Sequence, residues 1–200
     1  TLVFPVCDDL ATLTWMANLA ALELHVHQWS VTRTGRVRGA DRLVVDLDPG
    51  EGAGLGECSA VALLARDALA ERDLTCRPVL SGSKGLHLYA DLPRRLDPDD
   101  STALAKEVAE ELTAAHPRLV TATMTRARRA GKVFFDWSQN AGSKTTVSPY
   151  SLRGRETPTV AAPLTWDEVA EGAEDPIALE QLRFDEVLDR VAERGDLFAV

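Results

Sequence analysis

The segment Arg42-Leu43-Val44-Val45-Asp46-Leu47-Asp48-Pro49-Gly50 places two aspartates, one residue apart, in an apolar strand. Side chains alternate along a strand, so Val44, Asp46 and Asp48 share one face while Leu43, Val45 and Leu47 share the other. One face must therefore pack in a core and the other must carry two neighbouring carboxylates, whose repulsion costs stability. A divalent cation removes that cost, since hard oxygen ligands on one face suit Mg²⁺ or Mn²⁺. The plain alternative is a strand end before a Pro-Gly turn.

The remaining chain supplies possible partners. In Lys132-Val133-Phe134-Phe135-Asp136-Trp137-Ser138, alternation puts Phe134, Asp136 and Ser138 on one face. If this strand neighbours the first, Asp136 completes a three-carboxylate cluster of the kind that holds two metals for phosphoryl transfer. On its own it reads as an ordinary exposed acid. The segment Ser81-Gly82-Ser83-Lys84-Gly85-Leu86-His87 combines backbone freedom at Gly82 and Gly85 with hydroxyls, a lysine and a histidine. It suits a phosphate, although it lacks the G-x-x-x-x-G-K-[ST] spacing of a P-loop and also reads as a solvated hairpin turn. Arg126, Arg128, Arg129 and Lys132 form a basic stretch just before Asp136, and Arg153 ends the strand after it, placed for a bidentate phosphate contact. His25 and His27 lie two apart on an expected strand, where a histidine is ordinarily structural.

Composition narrows the setting. Two hundred residues at 45% hydrophobic content can bury one core, and the pattern reads as one domain over 1–200. No apolar run is long enough to span a bilayer. Cys7, Cys58 and Cys76 are too scattered for a zinc site or a disulfide framework, which points to a reducing cytoplasm. The net charge of −9 disfavours general polyanion binding, leaving local basic segments to do any such work. Helices are expected over 8–21, 57–72 and around Leu104, Val108, Leu112 and Ala115, with two acidic ones over 165–171 and 184–194. Strands are expected over 1–6, 23–31, 42–50, 75–80, 86–92, 132–138 and 145–152, giving a mixed α and β order.

Read together, these segments resemble the polymerase domain of bacterial end-joining DNA ligase D, of the archaeo-eukaryotic primase superfamily, most closely its actinobacterial members. The resemblance is carried by residues 21–29, by Asp46-Leu47-Asp48-Pro49-Gly50-Glu51-Gly52, by 81–89, by Arg129-Ala130-Gly131-Lys132, by Asp136-Trp137-Ser138-Gln139-Asn140 and by 149–155. It implies an α+β, primase-like core of largely antiparallel sheets flanked by helices. It implies that Asp46, Asp48 and Asp136 are catalytic and hold two divalent cations, Mn²⁺ or Mg²⁺. Ser81, Lys84, His87, Arg153 and His25 would bind the nucleoside triphosphate. The loop with Arg126, Arg129 and Lys132 would lie near the primer end of DNA. The implied activity is metal-dependent, template-directed nucleotidyl transfer, with ribonucleotides preferred, filling gaps in non-homologous end joining. The implied partners are DNA ends with a 5′-phosphate, Ku and an ATP-dependent ligase module, in a cytoplasmic, nucleoid-associated setting. Family members carry a further stretch before the first strand seen here, so the chain is expected to be truncated on its N-terminal side and weak or inactive alone. Two rivals remain: a DNA-end binding module without catalysis, and an Asp-based phosphohydrolase of the haloacid-dehalogenase type, against which Gly50 stands where a threonine is expected.

Overall fold

The computed structural model describes residues 4–199. Along the chain run α1 (Leu10–Asn18), β1 (His25–Val26), β2 (Trp29–Val31), β3 (Val37–Pro49), α2 (Leu55–Ala70), β4 (Cys76–Leu80), β5 (Leu86–Leu96) and α3 (Pro98–Ala115). There follow β6 (Val120–Thr121), β7 (Val133–Asp136), β8 (Thr146–Val147), β9 (Leu152–Arg153), β10 (Thr159–Val160), α4 (Trp166–Glu174) and α5 (Phe184–Arg194). Short 3-10 turns occupy Arg126–Arg128 and Trp137–Asn140. The fold is α+β with mostly antiparallel sheets. The main sheet runs β4-β5-β3-β7-β6, and β2 also pairs with β3. β3 is antiparallel to β5 and to β7, while β6 and β7 run parallel. This is not the doubly wound parallel sheet that a haloacid-dehalogenase-type phosphohydrolase requires.

The alternation in β3 decides the layering. Leu43, Val45 and Leu47 are fully buried and meet Cys58, Val61, Ala62, Ala65 and Leu69 of α2 and Ala105, Val108, Ala109 and Leu112 of α3. Each buried Leu or Val there contributes about 1.5–3 kcal/mol. On the other face Val44 joins Val79, Tyr89, Val147 and Ala161 in a smaller apolar cluster. That cluster covers half of the face and leaves the half with Asp46 and Asp48 for polar groups. Helix starts follow ordinary chemistry: Asp9 Oδ1 accepts from the Thr12 N–H at 2.7 Å, and Thr165 with Glu168 forms a capping box on α4.

Several strand expectations are corrected. Residues 1–3 lie outside the described residues, and 4–6 form no strand. The expected strand over 23–31 splits into β1, which pairs with β8, and β2, which pairs with β3. The expected strand over 145–152 likewise splits into β8 and β9, which pair with different partners. β7 stops at Asp136, because Ser138 turns back and its N–H and hydroxyl both donate to Asp136 Oδ1, at 2.9 and 2.6 Å. Asp136 therefore caps the 3-10 turn that contains Ser138, and Ser138 does not extend the strand face.

Candidate functional site

The registers of β3 gather the carboxylates. Asp46 stands opposite His87 of β5 on one side and Asp136 of β7 on the other. Directly opposed residues on neighbouring strands point to the same face, with Cβ atoms about 5 Å apart. His87, Asp46 and Asp136 thus form one row across three strands. Asp48 heads the next row, opposite Phe134. His87 Nε2 lies 3.3 Å from Asp46 Oδ1, and both residues are buried.

The turn after β7 completes this row from below. The Gln139 side-chain N–H donates to Asp46 Oδ2 at 3.3 Å and to Asp136 Oδ2 at 3.2 Å. Asn140, buried, takes over the ladder that β7 abandons: its Oδ1 accepts from the Val44 N–H at 2.8 Å, and its Nδ2 donates to the Val44 carbonyl at 2.7 Å. A side-chain amide thereby replaces a strand residue, which frees the backbone to turn and bring Gln139 under the two carboxylates.

Asp48 is exposed by surface area, yet protein atoms crowd its carboxyl. That desolvation, then the charge of Asp46, pushes its pKa up to about 6; Asp136 adds to the rise, while His87 and Arg129 oppose it. Among the described residues, no three His, Cys, Asp or Glu side chains close round a single point as a metal site does. The contacts explain why: Asp136 is taken up by Ser138, and Gln139 bridges Asp136 to Asp46. The donor chemistry still fits a hard divalent cation, since the carboxylates have drawn an amide N–H into the place of a positive partner.

The turn over 81–85 is built around Ser81. Its Oγ accepts from the N–H groups of Ser83 at 3.2 Å and Gly85 at 3.1 Å, and its N–H donates to the Gly85 carbonyl at 3.0 Å. Those two N–H groups are thus spent within the turn. The N–H groups of Gly82 and Lys84 donate to no protein acceptor among the described residues, and the Lys84 side chain is exposed. Gly82 has φ +66°, a conformation that favours glycine. The Arg153 Nη1 donates to the Ser81 carbonyl at 2.9 Å, so Arg153 is joined to this turn and not to the carboxylate row.

Glu23 is the member of this group that sequence reasoning gave no role. Its Oε1 accepts from the Gly154 N–H at 2.7 Å and lies 3.6 Å from Arg153 Nε, while its Oε2 lies 3.2 Å from His25 Nε2. The Gly154 hydrogen bond, then that to His25, holds its carboxyl below the usual range. His25, exposed, therefore reaches the Ser81 turn through Glu23 and Arg153. His27 instead stacks on Trp29, with ring centroids 4.2 Å apart, and serves packing.

The basic loop is fastened to the Pro49-Gly50 turn: the Gly50 N–H donates to the Lys132 carbonyl at 2.8 Å and the Gly131 N–H to the Glu51 carbonyl at 2.7 Å. Arg129 lies with its guanidinium carbon 3.4 Å from the Phe134 ring centroid and donates to the Thr123 and Met124 carbonyls. This puts its charge beside Asp48. Lys132 points elsewhere, its ammonium donating to the Pro117 carbonyl at 2.6 Å, and Arg126 is exposed. The polar run Ser138-Gln139-Asn140, which follows the strand-ending Asp136 after one intervening residue, was the available signal for the supporting turn.

The family profile of the LigD primase-polymerase domain matches residues 1–198. The chain is 53% identical over 202 residues to the multifunctional non-homologous end joining DNA repair protein LigD of Mycobacterium tuberculosis, covering 98% of this chain and 26% of the relative. It is 51% identical over 199 residues to the multifunctional non-homologous end joining protein LigD of Mycolicibacterium smegmatis, covering 100% of this chain and 25% of the relative. A bifunctional non-homologous end joining protein LigD of Bacillus subtilis is 35% identical over 191 residues, covering 95% of this chain and 30% of the relative. The chain thus spans about a quarter of the length of the mycobacterial relatives. Among solved structures, a polymerase domain from Mycobacterium tuberculosis ligase D in complex with DNA superposes with a TM-score of 0.89 at 53% identity, over 97% of this chain and 68% of that one.

Proposed function

This chain belongs to the LigD primase-polymerase domain family, and we propose that it transfers nucleotides to 3′ ends during non-homologous end joining of double-strand breaks. The observation that carries the reading is the His87–Asp46–Asp136 row with Asp48 beside it, on the open half of one sheet face. Asp46, Asp48 and Asp136 would hold two divalent cations, manganese or magnesium, which when bound acidify a primer 3′-hydroxyl and stabilise leaving pyrophosphate. The protein's part is positioning and charge. The triphosphate would lie against the Gly82 and Lys84 N–H groups, with the Lys84 ammonium and the Arg153 guanidinium offsetting its charge. His87 would donate from Nε2 to a phosphate oxygen, and His25 would steady Arg153 through Glu23. Arg129 would sit at the primer end, its charge beside Asp48.

We further propose ribonucleotides as the preferred substrate, DNA ends with a 5′-phosphate as the template-bearing partner, and Ku and an ATP-dependent ligase module as associates at the nucleoid. No helix of the described residues is long and apolar enough to cross a membrane. The test is templated extension of a gapped, 5′-phosphorylated duplex with manganese, comparing ribo- with deoxynucleotides. Extension should favour ribonucleotides and vanish in Asp46→Ala. Equal extension by that variant refutes the assignment, as does a chain that neither extends a primer nor binds ATP.

A further inference from the structure

We propose that Tyr89 is a positioning residue for His87, and that residues 195–199 hold Tyr89 in place; the inference rests on the nucleotide-binding role proposed for His87. Tyr89 lies two residues beyond His87 on the same face of β5 and is 1% exposed. Its hydroxyl donates to the Val147 carbonyl at 2.7 Å. Two oxygens that close need a proton between them, so the single proton of Tyr89 is spent there. The same Oη lies 3.3 Å from His87 Nδ1. Towards that nitrogen it can only accept, so Nδ1 carries a hydrogen, and a ring that also donates from Nε2 carries one on each nitrogen. Turning the imidazole over would place a carbon against Tyr89 and another against Asp46. The tyrosine oxygen thus keeps Nε2 directed at Asp46 Oδ1, 3.3 Å away, on the carboxylate half of the face.

Tyr89 is in turn gripped from the outside. Phe198 meets its ring edge-to-face, with centroids 5.5 Å apart, and the Arg77 guanidinium lies 4.8 Å from the Phe198 ring centroid. Arg77 is paired with Asp91 at 2.7 Å. The Tyr150 hydroxyl donates to Asp196 Oδ1 at 2.7 Å and accepts from the Leu197 N–H at 3.1 Å. Asp196 Oδ1 also accepts from the Phe198 N–H at 2.8 Å. A continuous set of contacts therefore runs from Tyr150 through Asp196 and Phe198 to Tyr89 and His87. Its last link acts on ring orientation, which packing alone does not set.

The experiment uses the 200-residue chain. Long-range ¹H–¹⁵N spectra of the wild type should show His87 with a proton on Nδ1. A spectrum with the proton on Nε2 alone overturns the proposal without any variant. Tyr89→Phe keeps the ring and removes the oxygen; it should lose that signature and weaken binding of ATP with magnesium about three- to tenfold, the range of one hydrogen bond. In extension assays the change should fall on KM more than on kcat. Phe198→Ala should move both readouts in the same direction, by less. A Tyr89→Phe chain with the wild-type His87 spectrum and ATP affinity overturns the proposal. If His87→Ala binds ATP as tightly as wild type, the nucleotide role of His87 fails, while the spectrum still decides whether Tyr89 orients it.

Discussion

Replacing Asn140 with alanine tests the idea that one side chain stands in for a strand. Val44 is fully buried, and both of its backbone groups are paired to the Asn140 amide at 2.8 and 2.7 Å. Asn140→Ala leaves an N–H and a C=O without partners in a dry interior, at about 1–3 kcal/mol each. Partial relaxation brings the sum to about 3 kcal/mol. For a chain of 200 residues each kcal/mol moves the melting temperature by about 2–4 °C, so calorimetry should show a fall of about 6–12 °C. Asn140→Asp should be no better, because it keeps an acceptor for the Val44 N–H and turns a second acceptor on the Val44 carbonyl. A fall of less than about 3 °C in Asn140→Ala would mean that Val44 finds other partners, and the stand-in argument would be wrong.

Two further outcomes follow from charge. The carboxyl of Asp48 titrates near 6 in the fold against an ordinary value of 3.8, so ionising it opposes folding as pH rises through that interval. Asp48→Asn should melt above wild type at pH 7, the gap should close below about pH 4, and nucleotide transfer should be lost; a pH-independent gap contradicts the linkage. Glu168 shows the opposite sign: desolvation raises its pKa, but the Arg190 hydrogen bonds, at 2.6 and 2.9 Å, and the Thr165 N–H outweigh it and bring it to about 2. Glu168→Gln should cost about 1–2 kcal/mol at pH 7, after discounting for partial exposure, and that cost should fade as pH drops from about 4 towards 2. Denaturant melts across that range check it, and an unchanged difference at low pH would count against the α4–α5 ion pair as its source.

The parts of the site legible in advance were those with a short period. Asp46 and Asp48 fall on one face by alternation alone, and the helical stripes of α2 and α3 named the partners of the opposite face. Ser81, Gly82 and Gly85 announced a turn by their conformational habits. The roles of Glu23, Gln139 and Asn140 were not legible, because each depends on a contact made far along the chain. Gln139 reaches Asp46 across 93 positions and Asn140 reaches Val44 across 96. Local patterning carries no trace of such a pairing. The same limit explains the strands over 23–31 and 145–152: β propensity ran continuously there, but tertiary pairing broke each into pieces with different partners.

From the sequence alone came the chemistry of the face: two carboxylates on an apolar strand, a third on another, and a glycine-serine turn with a lysine and a histidine. Those follow from residue type and a two-residue repeat, which need no fold to be read. Only the tertiary structure decided that Asp136 and His87 flank Asp46 in one row, since antiparallel register sets which side chains stand opposite. It also decided that Lys132 turns to Pro117 and Arg153 to the Ser81 turn, because long cationic side chains go where an acceptor lies within reach. The paired aspartates were written in the chain; the charges and amides that surround them were placed by packing.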